Sequence, residues 1–290
     1  MRDRWAHWLT ERRDAGDDAQ RKVSLDLLAG IRDRVLDQAG ALDGATVLDV
    51  GCGDGLIGLA ALERVGPDGA VIFSDISAEL LELAERSVRD LGFADRATFV
   101  EAGADDLAGV ADGSVDLATT RSVLIYVADK AAAFAAMHRV LRPGGRVSLF
   151  EPINSLMYPE PRDRLWGYDV GAVADLADRV KDTFERLSDP ATASMSDFDD
   201  RDLVRHAVEA RFREVHLTLN VDVAPGDMRA ASFDSLVDGA PNPLAPTLRE
   251  TIEQALDADE ATRLLDHLRD RFDTTEPTQM WAGAFLTAWR

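Results

Sequence analysis

A chain of 290 residues, 46% of them hydrophobic, is long enough to bury a sizeable core, as one α/β domain with insertions or as two domains. Its formal net charge of −21 argues against a nucleic-acid partner, since phosphate binding needs a basic footprint, and a bias toward alanine, arginine and aspartate accounts for most of the acidity. The single cysteine, Cys52, excludes an intrachain disulfide and a multi-cysteine zinc site, and with no apolar run of about eighteen residues and a charged N-terminus the expectation is a cytoplasmic protein without membrane span or metal.

In chain order, residues 1–45 read as helical. Trp5, Trp8, Leu9 and Arg12 fall on one stripe, and Val23, Leu27, Leu28, Ile31, Val35 and Leu36 on a second that should pack on a sheet. Thr46 to Val50 is a short apolar strand. Gly51, Gly53 and Gly55 interrupt it, and helical spacing resumes from Leu56 to Arg64. A strand, a glycine loop and a helix form a nucleotide-type ligand loop, with backbone N–H groups expected free at the helix start. Gly53-x-Gly55-x-x-Gly58 fits the dinucleotide pattern, and Asp75 follows at the distance of a ribose-binding acid, so a nicotinamide cofactor stays open. Asp49 and Asp54 point elsewhere. Two carboxylates would repel a pyrophosphate but favour a ligand with an ammonium, a sulfonium and no phosphate, as in S-adenosylmethionine (SAM).

Further strands are predicted at Ala70–Ser74, Ala97–Glu101, Val115–Thr119 and Gly145–Glu151. Between them, Ser77 and Asp129 are placed to cap helices, and Arg142-Pro143-Gly144-Gly145 forbids continuation of the second. Residues 198–212 read as an amphipathic helix. Residues 214–223 alternate strictly, as an edge strand with one wet face does, and 279–289 read as a last strand.

VLDVGCGDG, followed at this distance by LRPGG and a strand, resembles the class I SAM-dependent methyltransferases. The resemblance implies an α/β, Rossmann-like, seven-stranded and mostly parallel sheet in the order 3-2-1-4-5-7-6, with helices on both faces. It also implies a helical lid over residues 1–45 and a methyltransferase domain over 46–290, with insertions at about 152–200 and 225–277 that cover the acceptor. The cofactor contacts it implies are Asp49, Gly51, Cys52, Gly53, Asp75 on the ribose, Ile76 on an adenine face, Ala104, Asp105 and Arg121. Gly103 departs from the pattern, which has an acid there to accept from the adenine amine. On the acceptor side, Arg121, Tyr126 and Glu151 are catalytic candidates, with Glu151 as a base or anchor. Arg121, Arg162 and Arg164 would suit a carboxylate, and Tyr158, Trp166 and Tyr168 an apolar acceptor. The implied partner is a small-molecule or peptide methyl acceptor taking the methyl on oxygen. Carbon methylation of a quinone-type precursor, and SAM binding without turnover, remain open.

Overall fold

The computed structural model describes residues 3–225 and 229–290. The central sheet has seven strands in the order β3-β2-β1-β4-β5-β9-β8. The chain enters through α1 (Arg4–His7), a π-helical turn (Trp8–Arg12) and the long α2 (Asp18–Gln38). Then come β1 (Thr46–Val50), α3 (Leu56–Arg64), β2 (Ala70–Asp75), α4 (Ala78–Asp90), β3 (Ala97–Glu101), β4 (Val115–Arg121), α5 (Lys130–Val140) and β5 (Leu141–Pro152). The first five strands pair in parallel. Their crossover helices lie on both faces, which buries the strands and accounts for their continuous apolar runs. Ser77 and Asp129 cap α4 and α5 as their sequence positions predict, accepting from the backbone N–H groups of Leu80 and Ala132.

Beyond β5 come α6 (Asn154–Met157), a two-stranded ribbon of β6 (Arg164–Leu165) and β7 (Tyr168–Asp169), α7 (Ala174–Leu187) and α8 (Asp200–Glu209). They are followed by β8 (Arg213–Pro225), α9 (Phe233–Asp238), α10 (Leu248–Ala255), α11 (Ala258–Thr274) and β9 (Thr278–Trp289). β9 runs antiparallel between β5 and β8, so β8 is the sheet edge predicted from its alternation. One core joins β4, β5 and β9 to α5 and α8, and a second joins the other sheet face to α2, α3 and α4.

A third core departs from the sequence reading. Leu165, Tyr168, Val170, Leu176, Val180, Phe233, Leu236, Leu248, Ile252, Leu264, Leu268 and Phe272 pack on one another, so the two insertions form a joint helical layer. Residues 226–228 of the second insertion lie outside the described residues. The expected stripe on α2 is also only half buried. Ile31, Val35 and Leu36 join the core on that sheet face, whereas Val23 and Leu27 stay exposed. No helix among the described residues is long and apolar enough to cross a membrane.

Candidate cofactor and acceptor site

The carboxyl ends of β1, β2, β3 and β4 open onto a cavity of about 790 Å³ roofed by the N-terminal segment. Its position follows from topology. β1 and β4 diverge to opposite sides, and their loops part at the switch point.

The glycine loop is built by two acids that spend its amides. Asp75 ends β2; its Oδ2 accepts from Gly53 N–H at 2.9 Å and its Oδ1 from Ser77 N–H at 2.9 Å. Asp49, 2% exposed, accepts from Gly58 N–H at 2.8 Å inside the first turn of α3. Cys52 N–H is taken by the Ser74 carbonyl and Gly55 N–H by the Cys52 carbonyl. The amides of Gly53, Gly55 and Gly58, the three glycines of the dinucleotide pattern, are thus bonded within the protein, which argues against a pyrophosphate cradle. Asp49 also differs from its sequence reading. Burial raises its carboxyl to about 7, against the Gly58 and Thr119 hydrogen bonds that lower it, and its charge is spent on the loop. The acids that face the cavity with capacity left are Asp54, which is exposed, and Asp75, whose oxygens each keep a lone pair.

These features fit SAM. Gly51 (φ +64°) has Val123 where a Cβ would stand, so any side chain there would collide with the wall of the β4 turn. Gly53 (φ +57°) lies under Leu9 of the roof. Ile76 is 54% exposed within the cavity lining, an apolar face beside Asp75 that would suit a base. Cys52, Ala102 and Ala104 complete that side. Asp105 is exposed and outside the lining, its carboxylate turned back into the space that a side chain at Gly103 would need. The structure therefore does not bring Asp105 to the cavity wall, and at that position only Ala104 arrives.

On the other side, Arg121 is the last residue of β4, and Ser122, Val123, Tyr126 and Val127 follow along the wall. Glu151, the third acid, does not join them. It is fully buried and accepts from Val123 N–H at 3.0 Å, Leu124 N–H at 3.0 Å and Ile125 N–H at 3.2 Å. Burial raises it to about 7 against those three donors. It is absent from the lining, so it can serve neither as general base nor as substrate anchor; it fixes the turn that carries the wall. Tyr126 meets Trp5 edge-on, ring centroids 4.9 Å apart, and burial holds its hydroxyl above the usual phenol range, so it is a donor rather than a base.

The roof consists of Trp5, Trp8, Leu9, Thr10 and Arg13, with Arg21, Leu25 and Leu28 from α2. Trp8 Nε1 donates to the Ala240 carbonyl at 2.8 Å, Asp17 accepts from Ser232 and Ser235, and Arg12 pairs with Glu250, so the roof is tied to the insertion layer. That layer itself stays out of the cavity, since none of its described residues lines it. Arg162 lies on the surface paired with Asp175 and Asp178, Arg164 is on the ribbon, Tyr158 is exposed, and Trp166 and Tyr168 belong to the third core. The sequence reading assigned the acceptor cover to these residues; the residues it missed are Arg13, Arg21, Leu25 and Leu28. Helical spacing marks an amphipathic face there but carries no information on which surface the face meets.

A family model described as "Methyltransferase domain" matches residues 41–214, more than half of the chain. Nocamycin O-methyltransferase of Saccharothrix syringae is 31% identical over 233 residues, 73% of this chain and 78% of that protein. The ubiquinone/menaquinone biosynthesis C-methyltransferase UbiE of Hahella chejuensis is 38% identical over 116 residues, 40% of this chain and 46% of that protein. This chain spans about half the length of the curated relatives of that second kind. The structure of geranyl diphosphate methyltransferase in complex with SAM superimposes with a TM-score of 0.53 at 18% identity, covering 96% of this chain and 92% of that one, which shows the shared fold.

Proposed function

This chain belongs to the methyltransferase-domain family, on a class I SAM-dependent core, and from that premise we propose that it transfers the methyl group of SAM to an oxygen of a small-molecule or peptide acceptor. The observation that carries the reading is the shared cavity. A ribose-type acid and an uncluttered glycine loop on one side share its space with Arg121, Ser122 and Tyr126 on the other.

When bound, the cofactor supplies an electrophilic methyl on a sulfonium and a neutral thioether leaving group. The chain's own residues would orient and dry the site. Asp75 would accept from the ribose diol, Ile76 would cover an adenine face, Gly51 makes room for Val123 of the wall, and Gly53 would admit the ligand to the backbone. Trp5, Trp8 and Leu9 would exclude water, which strengthens every electrostatic contact beneath them. No histidine lines the cavity, Tyr126 stays protonated, and Glu151 lies outside. Alignment rather than proton removal is then the chain's contribution, which favours an acceptor oxygen that is acidic or already ionised.

Oxygen is preferred because the O-methyltransferase match extends over 233 residues, about twice the C-methyltransferase match. Carbon methylation keeps support from the UbiE relatives. Calorimetry with SAM, S-adenosylhomocysteine and NAD tests the cofactor, and binding of NAD alone would sink the reading. Transfer of labelled methyl, followed by alkaline hydrolysis of the product, separates ester-type oxygen products from carbon products.

A further inference from the structure

We propose that Arg121 and Arg13, with the Tyr126 hydroxyl, form a recognition site for a carboxylate on the methyl acceptor. The proposal rests on the methyltransferase reading above and names its substrate class.

The three side chains are hydrogen-bond donors that line one cavity, and each keeps donor capacity among the described residues. Arg121 makes one hydrogen bond among the described residues, Nη1 to Ser122 Oγ at 3.3 Å, and no ion pair. The carboxylates whose charges act on it are Glu151, Asp54 and Asp49. Two of these are committed elsewhere, Glu151 to three backbone N–H groups and Asp49 to Gly58. Arg13 comes from the roof. Asp14, 3% exposed, holds its Nε at 3.2 Å and its Nη2 at 3.0 Å, which fixes the guanidinium and leaves Nη1 without a bond among the described residues. The charges of Arg13 and Arg121 act on each other, as do those of Arg121 and Tyr126, so the three groups share one neighbourhood. Arg121 is half-buried with no carboxylate partner among the described residues, which is unfavourable for a guanidinium, and a planar carboxylate answers its two-pronged geometry.

Charge bears on the anion. Asp14 sits between Arg13 and Arg21, and Asp54 and Asp75 line the same cavity, so the positive charge around Arg121 is partly balanced, which suits a monoanion better than a phosphate dianion. Location selects its source. The ribose-type acid and the glycine loop belong to β2 and β1, whereas Arg121 and Tyr126 belong to β4 and its turn, on the far side of β1. The roof thereby contributes to acceptor choice as well as to water exclusion.

The test uses the full chain saturated with S-adenosylhomocysteine, so that the cofactor's own carboxylate is present in every titration. Benzoate, benzamide and phenyl phosphate are titrated by calorimetry or ligand-observed NMR. Benzoate should bind at least about tenfold more tightly than benzamide and more tightly than phenyl phosphate. Arg121→Gln should weaken benzoate about tenfold or more, as loss of charged hydrogen bonds does, while affinity for S-adenosylhomocysteine stays within about threefold. Arg13→Gln should weaken benzoate less, and Arg121→Lys should keep part of the affinity, which reports that the site still folds. The assignment is overturned if benzoate does not bind, if benzamide equals it, or if phenyl phosphate exceeds it. It is equally overturned if Arg121→Gln loses S-adenosylhomocysteine instead, which would give Arg121 to the cofactor's carboxylate. Failure of the wild-type chain to bind S-adenosylhomocysteine or SAM at all would sink the methyltransferase reading, not this assignment alone.

Discussion

The ends of β1 and β5 each carry a buried carboxylate, Asp49 and Glu151, and the two do the same work from opposite sides of the β4 turn. Asp49 ties the glycine loop to the start of α3, and Glu151 ties the backbone of residues 123–125 to the sheet. Val123 then rests against Gly51, so the two braced segments meet at the cavity wall. In the sequence they look unlike: one belongs to a recognisable motif, and the other reads as a free acid at a strand end, suited to catalysis. The lesson is that a carboxylate at a strand's end in this fold is claimed first by the unpaired N–H groups of the loop beyond it, because a buried amide without a partner costs more than an unused base.

Removing the β5 brace should give the largest effect. Glu151→Ala strips three N–H groups of their acceptor, and unfolding in urea should show a loss of about 3 kcal/mol or more. A stable Glu151→Ala chain that had lost only turnover would restore Glu151 as a base. At the cofactor end, Asp75→Ala should weaken SAM binding by roughly 1.5–3 kcal/mol in calorimetry; unchanged affinity would mean that the ribose lies elsewhere.

A third outcome concerns pH. Asp49 and Glu151 are each raised to about 7 from ordinary carboxylate values, so between those values and 7 the folded chain holds more protons than the unfolded chain. The stability gained is present at low pH and is lost as pH rises through 7. Melting temperature should therefore fall between pH 5 and pH 8, and less steeply in Glu151→Gln; equal slopes would show that Glu151 does not titrate there. The smallest effect belongs to Asp105→Ala. An exposed acid outside the lining should change SAM affinity by less than about 0.5 kcal/mol, and a larger loss would return Asp105 to the adenine.

The first side of the site was legible because it is local. Strand, glycines and helix follow one another in one short stretch, and Asp75 sits at the next strand end, so spacing places Asp75 beside the loop and the resemblance adds Ile76. The uses of the amides were not legible, since whether Gly53 and Gly58 donate to a ligand or to Asp75 and Asp49 depends on side-chain directions across neighbouring strands. The acceptor side was harder. Arg121 and Tyr126 could be named from their place after the fourth strand, but Arg162 and Arg164 were drawn in by proximity in the chain and lie on the outer layer.

By itself the sequence determined the strands and the glycine loop, because continuous apolar runs, caps and a glycine turn are short-range instructions, and the order of the sheet was legible through the resemblance that those motifs carry. The resemblance implied a lid over residues 1–45, but only tertiary structure decided which of its side chains face the cavity and that the described residues of the insertions do not. An amphipathic segment buries its apolar face wherever a matching surface lies. Here the two insertions satisfy each other in a third core, and the N-terminal segment, bringing Trp5, Trp8 and Arg13, is left to cover the open ends of the strands.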